Sequence, residues 1–230
     1  MTALPEIASP MDAPLLPQSF WFRTVFRCSM VPEIPRSRGR LLDLPASCGL
    51  PDLAGLQGVE SWAEVRVGYN SGGIGVAVEL LDKVGPISPE PGHSSGVDSV
   101  QVWIDTRDTR NVHRATRFCH RFVAGIVSGK GRSLEVSVAQ KPIARAVADA
   151  PLAALGCVEA KAERTLGGWR LEMFFPSQSL HGFDPETNRR LGFYYQVTDP
   201  ARGDRFLGVG REFPVGEDPS LWSTLELTGS

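Results

Sequence analysis

The metal-ligating side chains of this chain gather between Asp105 and His120, where His113, Cys119 and His120 stand close to Asp105 and Asp108. Imidazole, thiolate and carboxylate are the donors that transition metals take. The spacing works against a closed site, because Cys119 and His120 are adjacent and a strand would send them to opposite faces. A hydrogen-bonding surface histidine and a buried thiol are the expectation. Asp105, Asp108, Asp199 and Asp204 are hard oxygen donors that a structural calcium ion could use. None lies in the dense alternating acid run of an EF-hand loop, and aspartates also shape turns without any ion. Met173 and His181 have the side chains of haem axial ligands, yet nothing in the sequence brings them to one pocket. No cofactor is expected, with structural calcium as the alternative.

Glycoside hydrolysis would need two carboxylates roughly 5 to 10 Å apart across a cleft. Glu79, Glu172 and Asp105 are of the right type, but each sits in a strand-like run that suits a solvated or fold-stabilising role. No GxSxG elbow or HExxH helix occurs, and residues 128–133 (SGKGRS) lack the length and spacing of a phosphate-cradling loop. That segment reads as a hairpin turn. Binding, not catalysis, is therefore the expectation. Gln101 and Trp103 are two residues apart, as are Tyr194 and Gln196, so in each alternating strand the amide and the aromatic ring would share a face.

Such a face needs strands to hold it. Residues 98–105 (DSVQVWID) put Val100, Val102 and Ile104 on one side and Gln101, Trp103 and Asp105 on the other, the clearest alternation in the chain. Residues 62–69 and 75–81 flank an Asn70-Ser71-Gly72-Gly73 turn and predict a hairpin. Further short strands are expected at 117–124, 134–139, 158–164, 169–175, 191–198, 205–208 and 223–227, and the aromatic run at 20–28 predicts another that pins the N-terminal arm. Alanine and leucine at 144–155 suggest one short helix interrupted by Pro151, and 176–180 suggest a single helical turn. Many short strands with almost no helix predict an all-β fold, an antiparallel β-sandwich of jelly-roll type with one or two short helices. The expected organisation is a flexible proline-rich arm over 1–17 and a single sandwich domain over 18–230.

The 230 residues are 42% hydrophobic and 22% charged, near the values of folded domains, which argues against disorder. A net charge of −2 gives no overall field for phosphates, and acidic and apolar residues interrupt the arginines between Arg107 and Arg121, so nucleic acid is not expected as a partner. No apolar run approaches the roughly 18 residues that cross a bilayer, so no membrane partner is expected either. Glu6, Asp12 and three prolines stand where a secretory signal would need a basic start and an unbroken apolar stretch. That predicts a cytoplasmic location, with secretion as the alternative. Cys28, Cys48, Cys119 and Cys157 show no CxxC spacing and suit buried free thiols, or two disulfides if the protein is exported.

Five segments in order, ELLDK, DSVQVWIDT, GGWRLEMFFPSQSL, LGFYYQVTDPARGDR and DPSLWSTLEL, span 79 to 227. Together they resemble family 9 carbohydrate-binding modules, DOMON-like β-sandwiches attached to xylan-degrading and related enzymes, with the similarity running from about Trp62 to Leu227. The resemblance implies a non-catalytic module that binds a polysaccharide or oligosaccharide, with polar side chains bonding sugar hydroxyls and two tryptophans clamping the ring. Gln101 and Gln196 match sugar-bonding positions of the family, and Arg121 is an approximate match on the intervening strand. The family's two tryptophans are missing: Gly92 to Val97 precede Asp98 without one, and Gly216 and Glu217 stand before Asp218-Pro219. A ring stacked on an aromatic is worth about 1 to 3 kcal/mol in the nucleic-acid case, so two lost contacts would cost a sugar site dearly. Trp103 and Tyr194 are the candidates to replace them. A protein-interaction or structural β-sandwich module that has lost sugar binding is the alternative reading.

Overall fold

The computed structural model describes residues 16, 18–21, 24–53, 55, 58, 60–87, 97–129 and 133–229. Alternation builds most of its elements. Strand β4 (Asp98–Asp105) has the expected bounds and buries Val100, Val102 and Ile104 completely on one side. The neighbouring hairpin joins β2 (Ala63–Asn70) to β3 (Gly73–Leu80) through Ser71 and Gly72. The other strands are β1 (Val25–Met30), β5 (Cys119–Ser128), β6 (Leu134–Lys141), β7 (Glu159–Arg164), β8 (Trp169–Pro176), β9 (Arg190–Asp199), β10 (Gly203–Phe206) and β11 (Ser223–Thr228).

All of them belong to one hydrogen-bonded path, β6-β5-β4-β9-β11-β1-β2-β3-β8-β7, with β10 added to β9. The path doubles over so that its halves face each other: Phe122 of β5 meets Phe175 of β8 with ring centres 4.7 Å apart, and one apolar cluster draws on both halves. Val100, Val102, Phe122, Phe193 and Val197 lie on one side of that core, and Val76, Val78, Leu171, Met173 and Phe175 on the other. The result is the all-β sandwich that the strand pattern predicts. Burial of alternate side chains from two facing sheets is its main driving force.

Two expectations need correction. The segment 20–28 is not one strand: a 3-10 turn covers Gln18–Trp21, and the strand runs only over Val25–Met30. That strand pairs in parallel with both β11 and β2, against the otherwise antiparallel pattern. Parallel neighbours require a long crossover, and the connection 31–62 supplies it. The helix expected over 144–155 is an irregular connection of turns. Arg145 sits in the left-handed region at φ 58°, which an α-helix does not admit, and Pro151 has no backbone N–H to donate.

The single helical turn after β8 is present as Ser177–Ser179. The expected arm at 1–17 lies, apart from residue 16, outside the described residues. Among those described, no helix is long and apolar enough to cross a membrane.

The two outer faces differ. Over β2, β3 and β8 lies the segment 34–48, whose Ile34, Leu41, Leu42, Leu44 and Cys48 form a second apolar cluster with Ala77 and Phe174. Glu172 fastens it by accepting the backbone N–H groups of Leu42 (3.2 Å) and Asp43 (3.1 Å). The outer face of β6, β5, β4 and β9 carries polar side chains instead.

Candidate functional site

Strand register decides which side chains share that polar face. Trp103 of β4 stands opposite Arg121 of β5 and Tyr194 of β9, and Arg121 stands opposite Lys141 of β6. One step along, Gln101 lies between Val123 and Gln196, with Ala139 beyond Val123 and Phe206 of β10 beyond Gln196. A third row holds Ser137, Gly125, Ser99, Thr198 and Asp204. All five expected site residues, Gln101, Trp103, Arg121, Tyr194 and Gln196, are thus brought to one face.

The polar members form a chain of hydrogen bonds. Arg121 donates to Gln101 Oε1 through Nε (3.2 Å) and Nη2 (2.7 Å). Gln101 Nε2 lies 3.4 Å from Gln196 Oε1, and Gln196 Nε2 donates to Asp204 Oδ1 at 2.9 Å. Thr198 Oγ1 also donates to Asp204 (2.7 Å), and Arg211 pairs with the other Asp204 oxygen. Burial lowers the pKa of the Arg121 guanidinium, which lies 5.5 Å above the Trp103 ring. Interlocked amides hold their donors and acceptors at fixed angles, and that suits the recognition of a hydroxylated ring.

The aromatic part of the expectation fails on exposure. Trp103 is 2% exposed and Tyr194 fully buried, with their rings packed edge to face at 5.8 Å. The segment after β10 covers them. Leu207, Val209 and Val215 join their cluster, Tyr194 donates its hydroxyl to the Val209 carbonyl, and Gly216 lies against the Trp103 edge. Burial also pushes the Tyr194 phenol far above its ordinary range. Neither ring offers a face to a ligand. Aromatic surface gains most by leaving water, and a neighbouring segment supplied that cover here. The loop expected to carry one family tryptophan, 88–96, lies outside the described residues.

The other candidates disperse. Cys119 lies beside Asp105 on the outer side of β5, whereas His120 stands opposite Ile104 on the core side. His120 stacks on Phe122, and burial holds its pKa down at about 4. His113 is exposed and pairs through Nδ1 with Asp218 (3.0 Å) and Ser220 (3.1 Å). Asp105 accepts the Arg107 and Thr109 amides, and Asp108 pairs with Arg110 and Arg190. Among the described residues no three His, Cys, Asp or Glu side chains come together as metal ligands. Met173 is in the core and His181 is stacked on Phe118 at the surface. Glu79 is bound to Arg170, while Glu172 holds the covering segment as described above. All four cysteines are free, and three are buried.

Asp98 opens β4 and is fully buried. It accepts from Trp169 Nε1 (3.0 Å) and from Lys83 Nζ (3.1 Å), and Lys83 bridges to Asp199 at 3.2 Å. Both carboxylates are fully buried, and burial raises the pKa of Asp98 against the pull of its two donors. Lys141, Thr198 and Arg211 escape a reading of the sequence. Thr198 could have been found, since it lies two residues beyond Gln196, but the positions of Lys141 and Arg211 depend on cross-strand register and on the path of the chain after β10.

Fold and face together define a class: a β-sandwich with a polar, amide-rich outer sheet. The structure of a family 9 carbohydrate-binding module from Caldicellulosiruptor kristjanssonii in complex with cellotriose is similar to it, with a TM-score of 0.56, 14% identity and coverage of 90% of this chain and 95% of that one. A structure of such a module from the same organism in complex with glucose matches with a TM-score of 0.50, 16% identity and coverage of 73% and 77%. The fold is that of family 9 modules, as the five segments imply. No protein-family model and no curated protein matches the chain.

Proposed function

We propose that this protein is a non-catalytic carbohydrate-binding module whose Gln101–Gln196 face bonds glycan hydroxyls. The observation that carries the reading is the hydrogen-bonded run from Arg121 through Gln101 and Gln196 to Asp204 on an outer sheet face. Similar folds hold cellotriose and glucose in their own complexes, which supports a saccharide as the ligand class. Engagement of Glu79 and Glu172 in fold-building contacts supports binding without turnover. Trp103 is buried next to these amides and supports Arg121, whose guanidinium lies 5.5 Å from its ring.

Titration of the full chain with cello- and xylo-oligosaccharides, followed by tryptophan fluorescence, tests the reading. Gln101→Ala or Gln196→Ala should weaken binding about tenfold, the worth of roughly one good hydrogen bond. Binding unaffected by both substitutions would place the ligand elsewhere. A second reading, a protein-binding module, draws on the exposed Val147, Leu152 and Leu155 of the β6–β7 connection. Silence across the glycan panel would favour it.

A further inference from the structure

We propose that the face selects acidic glycans, seating the carboxylate of a hexuronate residue between Arg121 and Lys141. This rests on the glycan-binding reading and narrows its ligand class. Arg121 and Lys141 are directly opposed in the β5–β6 register and lie on the same face. Opposed cross-strand residues have Cβ atoms about 5 Å apart, so the two cations share one stretch of the face. Among the described residues no carboxylate forms an ion pair with either of them. Both Arg121 bonds go to Gln101 Oε1, a neutral acceptor, and the Lys141 ammonium has no partner among the described residues.

Other partly buried arginines of this protein are treated differently. Arg66 has Glu64, Arg110 has Asp108, Arg170 has Glu79 and Arg202 has Asp82. Arg121 is alone among these in lacking a carboxylate. The nearby acids do not serve it. Asp204 is taken by Arg211, Thr198 and Gln196, while Glu135 lies six residues from Lys141 along β6, roughly 20 Å away. Asp149 lines a cavity with Lys141 but forms no ion pair with it.

The surroundings indicate a sugar acid more than a bare anion. Arg121 leans from its own row toward Gln101, so its guanidinium sits beside the amides. Val123 and Ala139, partly exposed in the amide row, offer an apolar floor for the ring. Arg121 Nη1 and the second Nη2 hydrogen are left over from Gln101, an edge suited to a planar carboxylate.

Calorimetric titration of the full chain with trigalacturonate, its methyl ester, a glucuronate-substituted xylo-oligosaccharide, cellotriose and inorganic phosphate separates the outcomes. Either or both uronates should bind about tenfold more tightly than the ester and cellotriose, with the advantage shrinking as salt rises. Lys141→Gln should remove that advantage and Lys141→Arg keep it; both changes are at an exposed site and leave the fold intact. Equal binding of ester and acid, unchanged in Lys141→Gln, would overturn the uronate proposal and leave glycan binding standing. Binding of phosphate without any of the sugars would reduce the pair to a simple anion site and overturn it as well. No binding of any saccharide or of phosphate would overturn both the proposal and the reading beneath it.

Discussion

His120 shows how placement decides the behaviour of a single residue. Its ring lies on the core side of β5, and burial lowers its pKa from 6.5 to about 4. The folded protein therefore excludes a proton that the unfolded chain binds. Stability from this group is full above pH 6.5 and is lost as pH falls toward 4, by roughly 3 kcal/mol in total. Chemical denaturation at neutral and acid pH should show a smaller acid loss in His120→Leu than in the parent protein, and equal losses would refute the burial argument. Lys83 makes the complementary case. Replacing it with methionine leaves Asp98 and Asp199 buried without a cation, which should cost about 3 to 5 kcal/mol at neutral pH. Because burial raises the folded-state pKa of Asp98, protonation relieves the loss, and the deficit measured by denaturation should shrink at acid pH. A deficit that grew with acidity would contradict this.

Among the elements, strands were far more legible than anything between them. Alternation in 98–105 and the glycine-marked turn after Asn70 depend on local chemistry, and both elements formed as expected. The segment 144–155 misled because alanine and leucine favour helix in isolation, while Arg145 at positive φ and flanking prolines belong to a connection that must span from β6 to β7. The parallel β1 was equally hidden, since pairing partners far apart in sequence leave no local mark. Site residues divide along the same line: the resemblance of two strand segments pointed to Gln101 and Gln196, and period two set Trp103 and Tyr194 beside them, but the covering of those rings depends on where the chain after β10 runs. Gly182 joins two elements closely. At φ 85° a Cβ there would lie 2.7 Å from the Phe118 ring and 2.9 Å from Thr106 Oγ1. Gly182→Ala should lower stability by about 1 to 3 kcal/mol, measured by denaturant unfolding, and a neutral effect would show that the 106–118 segment yields easily.

At the scale of the molecule, a single doubled-over sheet gives its two outer faces different tasks. One is sealed by the segment 34–48 and its arginine–carboxylate pairs, and so contributes stability. The other leaves Gln101 and Arg121 partly open to solvent and Lys141 exposed, with Gln196 buried beside them, although the whole chain carries a net charge of only −2. The most direct measurement is an NMR titration of the side-chain amides with cellotriose and trigalacturonate. The account predicts that the Gln101 and Gln196 amide resonances shift first and furthest with at least one of the two sugars. Shifts confined to other parts of the surface, with these two amides unmoved, would contradict it.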